Sequence, residues 1–213
     1  HDLDQAPILR EEVAAGLNPP LQLLYGVGVH AEADLVVDRT ARRAGLDAGH
    51  GVMVNPGGIR APLFVPANRP DRFAKAASSG ADAIILDLED AVPASDKHDA
   101  RAALRRDFTD LPVIVRINAA DTIWHDADLA AARALPAAAV MVPKAETPEV
   151  FASVVGAGGG QIPVLALIES ARGLAAARDL AAVPGVVRLL FGSVDYCAVL
   201  RMAHVREALL LAR

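Results

Sequence analysis

Cysteine is almost absent from the 213 residues: Cys197 stands alone. One thiol excludes an internal disulfide framework and a thiolate zinc site, and it fits a reducing compartment. No histidine pair has the H-x-x-x-H spacing of a helical metal site, which argues against a transition metal. A basic excess is lacking too, because 26 Asp and Glu outnumber 21 Lys and Arg, for a net charge of −5. Nucleic acid calls for a basic face, so it is not an expected partner. Uninterrupted apolar runs such as residues 162–168 fall far short of the roughly 18 needed to cross a bilayer. No charged segment followed by an apolar stretch opens the chain, so nothing reads as a signal peptide. The chain opens on His1 instead of Met, and residues are expected to precede it. What remains, 53% hydrophobic and 22% charged residues, is a globular composition long enough for a real core. The expectation is a soluble, cytoplasmic protein.

From residue 60 onward, apolar runs of strand length recur at 62–66, 83–88, 113–117, 139–142, 164–168 and 186–191. Alanine-rich stretches with charges at helical spacing separate them, at 69–78, 95–106, 126–135, 148–155 and 171–180. Pro70, Pro93 and Pro148 stand near helix starts, where a missing N–H costs nothing. Repeated βα units imply parallel strands with right-handed crossovers, and strands apolar on both sides imply a sheet covered on both faces. Six units are visible, whereas a closed (β/α)8 barrel needs eight and about 250 residues. Counting alone leaves two architectures open, an open doubly wound sheet and an incomplete barrel.

Residues 1–59 lack this periodicity and form an unassigned N-terminal segment. The turn-forming Asn55-Pro56-Gly57-Gly58 sets a boundary there, leaving 60–213 as the repeating unit. A helix is expected over 31–44, ended by Gly45. The run Gly26–Ala31 has the G-x-G-x-x-A form, but 60 residues cannot build a dinucleotide domain, so a plain turn is expected.

Chemistry-bearing residues cluster at strand ends. Asp87, Glu89 and Asp90 crowd the end of the second strand, with Asp87 and Glu89 on one face by period-2 alternation. Arg116 sits inside the apolar third strand, where a guanidinium must meet an anion. Glu169 ends the fifth strand, and Asp195 follows the sixth. Neighbouring parallel strands would bring these two carboxylates together at the C-terminal edge, where α/β folds bind ligands. Such a pair suits a hard divalent cation such as Mg2+, which takes one or two protein carboxylates and keeps water and substrate oxygens for the rest. Capping and surface carboxylates are the alternative, since Ser170 and Asp195 could each start a helix.

The segments 63–73 (LFVPANRPDRF), 85–92 (ILDLEDAV), 115–118 (VRIN), 142–144 (VPK), 167–173 (LIESARG) and 191–195 (FGSVD) follow one another in a set order. In that order they resemble the citrate lyase beta-subunit-like family of acyl-CoA lyases, and the resemblance runs from about residue 60 to the end. It implies a (β/α)8 TIM-barrel fold, here incomplete at about six βα units, in which strands seven and eight are missing. It also implies an oxo-acid-lyase activity that needs Mg2+ and cleaves or forms a 3-hydroxyacyl-CoA such as citryl-CoA or malyl-CoA. The products are a keto acid and acetyl-CoA, by way of an enolate. Glu169 and Asp195 would be the metal ligands. Arg116 would bind substrate and stabilise the enolate, Glu89 and Asp90 would order water, and Arg69 and Arg72 would contact the anionic substrate. The partner implied is a small acyl-CoA or keto acid, with homo-oligomers, trimeric or hexameric, typical of the family. A thioesterase or a 2-keto acid aldolase on the same site, or a truncated inactive paralogue, is the alternative.

Smaller expectations complete the reading. His98 and His125 are expected on solvated helix faces and Cys197 as a buried, inert thiol. Trp124 is expected either at a pocket mouth or in packing. Gly156–Gly160 is expected as a loop.

Overall fold

The computed structural model describes residues 59–135, 137–155 and 162–204, together with the backbone of two upstream strands, Gln22–Tyr25 (β1) and Leu35–Asp38 (β2). Six further strands follow at Pro62–Pro66 (β3), Ala83–Asp87 (β4), Val113–Arg116 (β5), Ala139–Val142 (β6), Val164–Ile168 (β7) and Val186–Phe191 (β8). Each lies on one of the six expected apolar runs. The helices between them are short. They are Phe73–Ala77 (α1), Lys97–Ala102 (α2), His125–Ala134 (α3), Ala152–Val155 (α4), Ala171–Ala175 (α5), Ala177–Ala182 (α6) and Ser193–Val199 (α7). Pro70 and Pro148 open 3-10 turns that lead into α1 and α4, as their fixed φ favours. The single helix expected over 171–180 breaks at Ala176 into α5 and α6.

β3 to β8 pair in parallel with each strand beside its sequence neighbour, which is the order of a (β/α) barrel wall. The sheet stays open, because its order runs β1-β2-β8-β7-β6-β5-β4-β3 and β3 does not meet β8. One expectation for the N-terminal segment is corrected. A strand stands at Leu35–Asp38 in place of a helix. The consecutive Leu35, Val36 and Val37 are apolar and partly β-branched, which favours extended backbone over a helical turn. The unassigned segment also covers the edge of the sixth parallel strand: β2 lies antiparallel to β8 through Val37–Leu189 and Asp38–Arg188. The segments 26–31, 51–54 and 156–160 lie outside the described residues.

Alternation along the strands sorts their side chains into two layers. Ala83, Ile85, Ile114, Met141, Leu165, Leu167 and Leu190 form an inner cluster. Val115, Ile117, Val140, Val142, Ala166 and Ile168 face outward onto the helices. The central strands are buried on both faces, as a parallel sheet requires.

A buried polar network braces the tips of β4 and β5 from the helix side. The Lys97 ammonium donates to the carbonyls of Leu88 and Glu89, at 2.6 Å each, and to Asn118 Oδ1 at 2.7 Å. Asn118 in turn donates its Nδ2 to Leu88 O at 2.9 Å and its backbone N–H to Asp128 at 3.0 Å. Asp128 also accepts from Arg101 Nε at 2.8 Å. Removing one member strands the others in a low-dielectric interior, which costs more than the net worth of a hydrogen bond. Asp128→Ala is therefore expected to lower stability by about 3 kcal/mol in chemical denaturation. A loss under about 1 kcal/mol would show that the network is not structural.

Candidate active site

The inner-face register runs past the last apolar residues and delivers polar ones at the C-terminal edge. On β4, the series Ala83, Ile85 continues to Asp87 and, just past the strand, to Glu89; on β5, Ile114 is followed by Arg116. Asp87 and Arg116 are direct register partners. Arg116 Nε and Nη2 donate to the two Asp87 oxygens at 2.7 and 2.6 Å, a bidentate pair that is almost wholly buried. The guanidinium packs over the Phe64 ring, 4.8 Å from its centroid. The anion that a buried arginine demands is thus supplied first by its own chain. Nη1 faces Glu89 at 3.2 Å and Asp90 at 4.0 Å.

Glu89 is buried, whereas the Asp90 side chain is 53% exposed and reaches solvent at the tip. Burial pushes the Glu89 carboxyl upward, with Arg116 and Lys144 pulling against it. Lys144, whose motif carried no assigned role in the sequence, stands at the centre of the site. Its ammonium lies 2.8 Å from Glu89 Oε1 and 4.0 Å from Asp90, and its backbone N–H donates to Glu169 Oε2 at 2.9 Å. Burial opposes the Lys144 charge, but Glu89 and Asp90 outweigh it and raise its pKa.

Glu169 follows the inner-facing Leu165 and Leu167 of β7 and is itself buried. Its carboxyl is pushed up to about 8, chiefly by burial and further by the Glu89 and Asp195 charges, against the Lys144 N–H and Arg116. Gly192, the next inner position after Leu190 on β8, leaves room for it. A Cβ at Gly192 would stand 2.6 Å from Glu169 Cγ. Asp195 lies in the first turn of α7 and is half-buried. It does not cap that helix, whereas Ser170 caps α5 by accepting from the Gly173 N–H at 3.1 Å.

Glu89, Asp90, Lys97, Asn118, Trp124 and Lys144 line an adjoining cleft of about 300 Å³. Trp124 is thus among the cleft-lining residues, with the Lys97 ammonium 5.2 Å from its ring centroid. His125 corrects the expectation of a solvated ring. It is 3% exposed, with Nδ1 2.9 Å from Asn118 O and Nε2 2.8 Å from Ser153 Oγ. His98 is solvated and Cys197 is buried. Arg69 and Arg72 stand on the surface, and Arg69 is engaged by Asp71 at 2.8 and 2.9 Å.

Among the described residues, no three or more His, Cys, Asp or Glu side chains gather as a metal cage. The donor set is nonetheless suited to one kind of ion. A desolvated Glu169 repelled by Glu89 and Asp195 is a carboxylate short of a counter-cation, and two carboxylates with room for water and substrate oxygens fit Mg2+.

An open α/β sheet, parallel from β3 to β8, thus gathers oxygen donors and a buried arginine at its C-terminal edge, where barrel-type folds bind ligands. The chain belongs to the HpcH/HpaI aldolase/citrate lyase family, which matches residues 60–210. A citrate lyase subunit beta-like protein from Mycobacterium tuberculosis is 42% identical over 151 residues, covering 68% of this chain and 52% of that protein. A (3S)-malyl-CoA thioesterase from Cereibacter sphaeroides is 36% identical over 145 residues, covering 64% and 50%. The solved citrate lyase beta subunit from M. tuberculosis, complexed with oxaloacetate and magnesium, superposes with a TM-score of 0.58 at 41% identity. That alignment covers 67% of this chain and 61% of that one. The chain spans about half the length of the curated relatives it matches.

The raised Glu169 pKa has a definite sign in stability. An unfolded glutamate titrates near 4.5, so between that pH and about 8 the folded chain keeps a proton that the unfolded chain releases. Stability of the metal-free protein is expected to fall as pH rises through this window. Glu169→Gln should flatten the fall in denaturation series at pH 5, 6, 7 and 8. An unchanged slope in that variant would remove Glu169 as its source.

Proposed function

We propose that this chain carries the core of a Mg2+-dependent lyase that cleaves or forms the C–C bond beside a CoA thioester. Its substrate class is a 3-hydroxyacyl-CoA of the citryl- or malyl-CoA type, and its products are a keto acid and acetyl-CoA. The observation that carries the reading is the meeting of Glu169, buried and short of a counter-cation, with Arg116 on one inner sheet face. The relative with oxaloacetate and magnesium supports both the cation and the keto acid.

In this reading Glu169 and Asp195 hold the cation. Bound there, Mg2+ supplies Lewis-acid polarisation of the oxygens of the keto-acid half. Asp87 fixes the guanidinium plane of Arg116, so its remaining edge meets negative charge as the thioester becomes an enolate. In cleavage the substrate hydroxyl loses its proton, the C–C electron pair passes to the thioester side, and protonation of that carbon yields acetyl-CoA. Glu89 and Asp90 order water at the rim. Arg69 and Arg72, exposed at the β3 edge of the sheet, are available to the anionic parts of the substrate.

The thioesterase relative favours hydrolysis of the same thioester as a second reading. Incubating the chain with acetyl-CoA in D2O separates the two. The lyase reading predicts deuterium in the acetyl methyl group that depends on Mg2+ and falls at least about a hundredfold in Glu169→Gln. Release of free thiol from malyl-CoA without keto acid would favour the thioesterase. With neither activity, the chain would be an inactive paralogue.

A further inference from the structure

Lys144 has a backbone that lysine rarely adopts. Its φ is 51°, and Arg201 is the only other non-glycine residue with positive φ among those described. A left-handed residue with a Cβ is strained, and such strain persists where the surroundings over-determine it. Here two contacts do so. The turn after β6 aims the Lys144 N–H at Glu169, and Ala145 then rejoins the sheet by donating to Leu167 O at 3.1 Å. The same turn sends the side chain the other way, across the end of β5, to Glu89 just past β4. Glu89 thus lies between two cations, with Oε1 on Lys144 and Oε2 facing Arg116. Asp90 stands 4.0 Å from each.

We propose that the Lys144 ammonium is the resident counter-cation of Glu89 and Asp90, so that the site takes one divalent cation, at Glu169 and Asp195, and not a second at the β4 tip. The inference rests on the metal seat proposed above. Lys144 is a positioning residue: it excludes a competing ion from two carboxylates that would otherwise recruit one, and so leaves them free to order water. Arg116 cannot do this alone, because its bidentate edge is committed to Asp87.

Calorimetric titration of the metal-free chain with Mn2+ tests this without any substrate. Lys144→Gly is the main variant, because glycine tolerates positive φ and the fold is kept while the ammonium is lost. Wild type is expected to bind one ion per chain, Lys144→Gly two, and Lys144→Gly/Glu89→Gln one again. Lys144→Arg, which keeps a cation, should return the count to one. If Lys144→Gly binds a single ion with wild-type affinity, or if neither protein binds any, the proposal is overturned. If wild type binds none but Lys144→Gly binds one that Glu89→Gln abolishes, the role of Lys144 stands and the seat at Glu169 and Asp195 falls.

Discussion

Like charges desolvated at one sheet edge are the constraint on which the rest of this structure depends. Asp87, Glu89 and Glu169 are all buried at the C-terminal ends of parallel strands, where carboxylates repel and water cannot screen them. Two cations from the chain, Arg116 and Lys144, meet that charge around Asp87 and Glu89. Among the described residues Glu169 receives a backbone N–H by direct contact, and burial drives its carboxyl up to about 8. The imbalance is local and directional. It leaves one carboxylate, next to Asp195, that a divalent cation would satisfy.

The remainder of the fold fixes that arrangement in place. The inner apolar cluster sets the level from which each strand presents its last inward side chain, and the parallel register aligns those side chains across neighbours. Behind them, Lys97, Asn118 and Asp128 tie the carbonyls at the β4 tip to two helices. Burial lowers the Lys97 pKa, while Asp87, Asp128, Glu89 and Asp90 favour its charge. Gly192 matters by what it omits, since any side chain there would displace Glu169. These are arrangements of rigid elements, which is what electrostatic preorganisation requires.

Much of this was legible in the sequence. The six parallel strands follow directly from apolar runs of strand length, period-2 alternation placed Asp87 and Glu89 on one face, and the apolar third strand marked Arg116 as a guanidinium that must meet an anion. Other features depend on information that periodicity does not carry. A left-handed turn at a lysine has no composition signal, so Lys144 was visible only as part of a motif. Lys97 carried no expectation and His125 was expected to be solvated, because their partners, backbone carbonyls at strand tips and Ser153, come together only in the fold. The paired edge of β8 was missed because β2 joins antiparallel from outside the repeating units.

The central claim is that Glu169 and Asp195 together hold the cation that Arg116 and the acidic tip serve. Anomalous diffraction from crystals soaked in Mn2+ tests it most directly. The account predicts one strong peak with an oxygen of Glu169 and an oxygen of Asp195 both at about 2.1–2.2 Å, near the octahedral spacing of Mg2+. A peak bound to Glu89 and Asp90 in the wild-type chain, or one touching Glu169 with Asp195 turned away, would contradict it.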